Sequence, residues 1–122
     1  EVVHTYGWYL RKYIREAKEK GVQPILLSPV PRNIWKDGKL TRAGSDYAAW
    51  AAQVAQAEGV PFINLNESIA RVYEQQGQEK VSQEYFLEDH THTTPAGARL
   101  NALMVVEGIR KIEDCQLRHY LK

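Results

Sequence analysis

Two short apolar runs, each arriving just after a glycine that ends a helical pattern, constrain the fold of this chain more than any other feature. Val22-Gln23-Pro24-Ile25-Leu26-Leu27-Ser28 follows Gly21, and Val60-Pro61-Phe62-Ile63-Asn64-Leu65 follows Gly59. Runs this short without polar alternation read as strands covered on both faces, the signature of a parallel sheet. Pro24 is tolerable near a strand's beginning. The intervening segments carry helical spacing. Tyr6, Tyr9, Leu10, Tyr13, Ile14 and Ala17 recur on one face, with Lys12, Arg15, Glu16 and Lys18 to Lys20 on the other. Tyr47, Trp50, Ala51, Val54 and Ala55 mark a second helix from about Arg42 to Glu58. Asn66 is expected to cap a third, with Ile69, Val72 and Tyr73 inward and Gly77 as its stop.

Between the first strand and the second helix, Asp37-Gly38 predicts a turn over 35–39. A polar connection from Glu79 to Glu88 leads to a last helix from Pro95 to about Ile112. That helix is apolar on too many sides for one amphipathic face, which predicts a position wedged between layers. Residues after Glu113 read as a tail. The order is α-β-α-β-α-loop-α, an α/β arrangement with right-handed crossovers. Two strands cannot bury both faces of a parallel sheet, and sheets usually have four or more. Residues 1–122 therefore read as a single partial domain, completed by an N-terminal portion of the same protein or by another chain. The opening Glu-Val-Val-His, with neither an initiator Met nor a signal pattern, fits the interior of a longer protein and is silent on export.

Charge narrows the partners. The net charge is +1 with both signs interspersed, so nothing argues for nucleic acid or an anionic membrane surface. No apolar run approaches the ~20 residues of a membrane span. The single cysteine, Cys115, excludes an internal disulfide, matches no metal spacing and reads as a bystander.

The chemistry concentrates in Asp89-His90-Thr91-His92-Thr93-Thr94-Pro95-Ala96-Gly97-Ala98. Thr94 is a good N-cap and Pro95 is pre-shaped for the first helical position, so Asp89 and His92 sit on a loop held just before a helix. At a spacing of three, the Asp carboxylate can reach Nδ1 of the His. That contact fixes the tautomer, leaves Nε2 as a general base and stabilises the imidazolium. Asp and His are also common turn formers and dipole partners ahead of helices. On the first strand's exit, Ser28-Pro29-Val30-Pro31-Arg32-Asn33 lies where open α/β sheets bind ligands. Arg32 and Asn33 are the substrate-positioning candidates there, Arg32 for a carboxylate.

This ten-residue block resembles the last conserved block of the SGNH (GDSL-type) hydrolases, in the rhamnogalacturonan acetylesterase-like branch. His4-Thr5-Tyr6-Gly7-Trp8-Tyr9-Leu10-Arg11 and Ile25 to Asn33 resemble that branch too, in order, so the likeness covers essentially the whole chain. The resemblance implies a three-layer α/β/α, flavodoxin-like sandwich around a five-stranded parallel sheet, of which this chain is the C-terminal part. It implies a carbohydrate O-acetylesterase acting on acetylated pectic polysaccharide or oligosaccharide, without a cofactor, and secreted or periplasmic. It assigns Asp89 and His92 to a catalytic triad, with Thr94-Pro95-x-Gly97 opening the final helix. In that family the nucleophilic Ser stands in a Gly-Asp-Ser block, and the oxyanion hole draws on a Gly and an Asn from later blocks. No Gly-Asp-Ser and no Gly-x-Asn-Asp occurs in these residues. The chain alone is therefore expected to be inactive.

Ser28 is the one serine placed where a substitute nucleophile could stand. It reads as a strand-end residue, because no oxyanion-hole motif surrounds it. Two rival readings remain. One is a metal site from His90 and His92 with Asp89 or Glu88. The other is a non-catalytic carbohydrate-binding fragment or pseudoenzyme using Trp8, Trp35 and Arg32. Tyr6 and Trp8 could stack on a sugar, although aromatics at helical spacing more often serve the core.

Overall fold

The computed structural model describes residues 1–42 and 45–122. Thr5 opens the first helix, α1 (Tyr6–Glu19), its hydroxyl accepting the Trp8 N–H. The chain then turns through Gly21 in the left-handed region, at φ 73°, into β1 (Leu26–Leu27). A tight hairpin of β2 (Trp35–Lys36) and β3 (Lys39–Leu40) follows, turning on Asp37 and Gly38, both at positive φ. That conformation is what a two-residue hairpin turn demands and why Asp-Gly supplies it. Next come α2 (Ser45–Glu58), β4 (Phe62–Ile63), α3 (Leu65–Gln76), α4 (Gln78–Glu84) and α5 (Pro95–Arg110), with a 3₁₀ turn over Gln116–Tyr120. The expected start of the second helix near Arg42 borders residues 43–44, which lie outside the described residues.

β1 and β4 form a parallel pair, Leu26 opposite Phe62 and Leu27 opposite Ile63. Their side chains alternate across the pair. Leu26 turns toward the α1 side, where Leu10, Ile14 and Ala17 line a groove with it. Leu27 and Ile63 turn toward the main core of Leu65, Ile69, Ala70, Tyr73, Val81 and Phe86. α2 packs on both strands and carries α1 on its back, while α5 packs on α3 and β4. The expected α/β class with a parallel sheet holds.

Several expectations are corrected. The strands hold two residues each rather than six or seven, because each has one neighbour among the described residues and a ladder extends only where both chains run alongside. The third helix is capped by Asn64, whose Oδ1 accepts the Glu67 N–H, not by Asn66. Asn66 is buried in the first turn, its Nδ2 donating to the Pro29 carbonyl. The connection from Glu79 contains a helix, α4, whose one buried apolar residue, Val81, is too little for a periodic signal. Tyr9 and Tyr13 are exposed rather than inward, and so are Tyr47 and Trp50. α5 buries only Gly97 fully; its apolar residues are half-buried against one layer or exposed, rather than wedged between two. Past Glu113 the chain is not a bare tail, since Cys115 is buried and a 3₁₀ turn follows.

Candidate active site

The Asp89–His92 loop is built by its flanks. Phe86 and Thr93 form an isolated antiparallel bridge, and Leu87 N–H donates to the His92 carbonyl at 2.9 Å. The loop is thus the end of a hairpin-like turn. Thr94 then locks it to α5. Its N–H donates to Tyr85 O at 3.0 Å, its hydroxyl to Glu84 O at 2.6 Å, and the same oxygen accepts the Gly97 N–H at 3.2 Å. Gly97 lies so close to the Tyr85 carbonyl that a Cβ there would stand 2.2 Å from its oxygen. This is the physical reason for glycine in Thr94-Pro95-x-Gly97: the helix start is pressed against the strand-like segment entering the loop.

Inside the loop, Asp89 spends both carboxylate oxygens. Oδ1 accepts the backbone N–H groups of Thr91 and His92, each at 2.7 Å. Oδ2 lies 2.6 Å from Nδ1 of His92. These bonds hold the Asp89 carboxyl far below the usual carboxylate range, the His92 N–H contributing most, then the His92 ring, then the Thr91 N–H. The imidazole is 73% exposed in its side chain and Asp89 48%, so the pair stands open on the surface. Nδ1 is engaged and Nε2 makes no hydrogen bond among the described residues. The predicted spacing of three residues therefore delivers the predicted contact.

The other candidates fare differently. Arg32 is exposed on the segment leaving β1, with no ion-pair partner among the described residues. Asn33 is brought to the loop, and its N–H and both ends of its amide have partners inside the chain. Its N–H donates to the His90 carbonyl at 2.9 Å, its Nδ2 to Ser82 Oγ at 3.1 Å, and its Oδ1 accepts the Trp35 indole N–H at 2.7 Å. Ser28 is 2% exposed; its Oγ accepts the Asn66 N–H at 2.9 Å and donates to Asn64 Oδ1 at 3.2 Å. It ties β1 to the start of α3, in keeping with a strand-end residue.

Trp35 packs on the core, and Trp8 stacks on His4 at 3.7 Å between ring centroids. Among the described residues no group of three or more His, Cys, Asp and Glu side chains converges as a metal cage. No helix among them is long and apolar enough to cross a membrane. Sequence reasoning missed Ser82, Trp35 and the Tyr85 carbonyl as supports of the loop. Only the Asn33-x-Trp35 spacing carried any sign of them.

A parallel strand pair between helices, with an Asp–His pair fixed ahead of the last helix, defines the class: an α/β chain similar to the SGNH hydrolases. The relatives give the particular kind. The chain is 35% identical over 112 residues to the Bacillus subtilis protein named "Probable rhamnogalacturonan acetylesterase YesY", a match spanning 88% of this chain and 52% of that protein. It is 28% identical to the rhamnogalacturonan acetylesterase of Emericella nidulans, over 84% of this chain and 41% of that one. It is 25% identical to the Bacillus subtilis rhamnogalacturonan acetylesterase RhgT, over 88% and 53%. The crystal structure of the Bacillus subtilis protein YxiM superposes with a TM-score of 0.79 at 26% identity, covering 86% of this chain and 30% of that one. No family model matches. The chain spans about half the length of the curated relatives it matches, and the resemblance to rhamnogalacturonan acetylesterases read from its motifs holds.

Proposed function

We propose that this chain is the part of a carbohydrate O-acetylesterase that carries the Asp–His half of a Ser-His-Asp triad, and that the intact protein removes acetyl groups from rhamnogalacturonan. The observation that carries this reading is the 2.6 Å Asp89 Oδ2–His92 Nδ1 contact with Nε2 left open, in a chain whose relatives bear that name. Nε2 of His92 takes the proton of a serine hydroxyl as that oxygen attacks the acetyl carbonyl. His92 then returns the proton to the departing sugar oxygen, leaving acetyl-serine. Water, activated by the same nitrogen, releases acetate. Asp89 holds the ring's tautomer and balances the imidazolium charge.

The serine and oxyanion-hole donors come from outside these 122 residues, since Ser28 is enclosed and no Gly-Asp-Ser is present. β1 has no second strand partner among the described residues. The apolar groove beside it, about 260 Å³ lined by Leu10, Tyr13, Ile14, Ala17, Pro24, Ile25 and Leu26, supports completion of the sheet on that side. The occupant is the remaining portion of the same protein or another chain. Arg32, exposed beside the loop, suits a galacturonate carboxylate of the substrate.

The test separates the two imidazoles of the loop. On acetylated rhamnogalacturonan, the intact enzyme is expected to lose at least about a thousandfold in kcat with His92→Ala, and somewhat less with Asp89→Asn. His90→Ala keeps activity within about tenfold, and chelators have no effect. Equal collapse of His90→Ala and His92→Ala, restored by added zinc after chelation, would instead establish a metal site.

A further inference from the structure

The Asp89–His92 loop is tied to its neighbours unevenly. Its two ends are fastened by the segment next to it in sequence, through Phe86, Leu87 and Tyr85. Its tip, at His90, is held across the fold by the N–H of Asn33 at 2.9 Å. That N–H belongs to the segment leaving β1, so it relates the loop to the sheet's C-terminal edge. The Asn33 side chain fixes the direction of its own backbone. One end of its amide meets Ser82 on α4 and the other meets the indole of Trp35, a residue packed on the core. The side-chain amide therefore joins α4 to the turn that carries Trp35, the backbone N–H of the same residue holds the loop tip, and each end of the amide already has a partner inside the chain.

We infer that Asn33 is a positioning residue for the Asp89–His92 pair, acting through its bridge to Ser82, Trp35 and the His90 carbonyl, and is not a contact to substrate. The inference rests on the reading of Asp89 and His92 as half of a triad. A reacting group must be held within about 0.5 Å of its productive place, and a misplacement of about 1 Å costs on the order of a hundredfold. An exposed loop has few packing contacts to supply that accuracy, so cross-fold hydrogen bonds must.

The experiment uses the intact enzyme with Asn33→Ala, Asn33→Asp and Trp35→Phe. Asn33→Ala is expected to lower kcat about 10- to 100-fold on both acetylated rhamnogalacturonan and p-nitrophenyl acetate, with KM within about twofold on each. Asn33→Asp, which keeps an acceptor for the Trp35 indole and the Ser82 hydroxyl, recovers most of the loss. Trp35→Phe keeps the core contact but removes the indole N–H, and lowers kcat in the same direction; it serves where Asn33→Ala does not fold. Hydrogen–deuterium exchange across residues 88–93 rises at least about tenfold in Asn33→Ala, while exchange around Tyr73 and Val81 stays at the parent value.

A rise in KM confined to the polysaccharide would make Asn33 a substrate contact and overturn the inference. So would unchanged exchange over 88–93. The exchange result does not depend on the reaction: a loosened loop in an enzyme that tolerates His92→Ala would sink the triad reading and leave the clamp standing.

Discussion

Gly97→Ala is the sharpest test of how the helix start is seated against the loop. A Cβ on Gly97 would lie 2.2 Å from the Tyr85 carbonyl oxygen and 3.0 Å from its carbon, both backbone atoms. Neither can swing aside as a side chain would, so α5 or the 84–87 segment must move by about 1 Å. Forcing such overlap typically costs about 1–3 kcal/mol. The move also stretches two bonds that seat the helix start, Thr94 N–H to Tyr85 O and Thr94 Oγ1 to Glu84 O, each worth about 1 kcal/mol. Against this stands a gain of about 1 kcal/mol from replacing glycine in a helix. The net loss is about 2–4 kcal/mol, which for a chain of this size lowers Tm by about 10 °C.

Gly108→Ala is the internal comparison. Its Cβ would meet Ile63 Cγ2 at 2.5 Å, an overlap with a side chain that can turn in its site, so the propensity gain offsets more of the cost. Urea and thermal denaturation of both variants, followed by circular dichroism, read the difference. A Gly97→Ala chain as stable as the parent, or no less stable than Gly108→Ala, would refute the close seating of α5 on Tyr85.

Two further outcomes follow from charge. Arg42 bonds Glu67 and Glu74 at 2.8 Å each and the Leu40 carbonyl at 2.7 Å, and its hydrogen bonds hold the Glu67 carboxyl down at about 2. Arg42→Met is expected to cost about 1–2 kcal/mol at neutral pH, a value discounted because these side chains are about a third exposed. Because the folded carboxyl is depressed, that stability is present above about pH 4.5 and disappears as the pH falls through about 2. The gap between parent and variant in urea should close over that window, and a gap that persists in strong acid would contradict the assignment. For Asp89, carbon-detected titration should find the carboxylate still ionised at pH 3, below the ordinary 3.8. With Thr91 and His92 N–H bound to it, the ionised form belongs to the folded loop, so loop order survives to low pH and is lost only below the ordinary carboxylate range. A normal Asp89 midpoint would mean the loop is not closed in solution.

What the sequence determined by itself is local. The pairs of glycine stops and short apolar runs specify helix, turn and buried strand within a few residues, because capping, left-handed φ and periodicity act over single turns. The Asp89–His92 contact belongs here too, since a three-residue spacing in a tight turn leaves little else for the carboxylate to meet. The tertiary structure decided what spans distance. Asn33 reads in sequence as a polar residue at a strand's end, where ligands bind; only the arrival of Ser82 and Trp35 at its amide and of the His90 carbonyl at its N–H shows it tied into the chain. Asn64 rather than Asn66 caps α3, because Asn66 is drawn to Pro29 and Ser28 across the strand pair. α4 escaped because one buried valine makes no period, and its reason for existing is the core it closes. Tyr9, Tyr13, Tyr47 and Trp50 carried the right period for burial and remain exposed, since a helix buries the face its neighbours cover, and those neighbours are supplied by the fold and not by the helix.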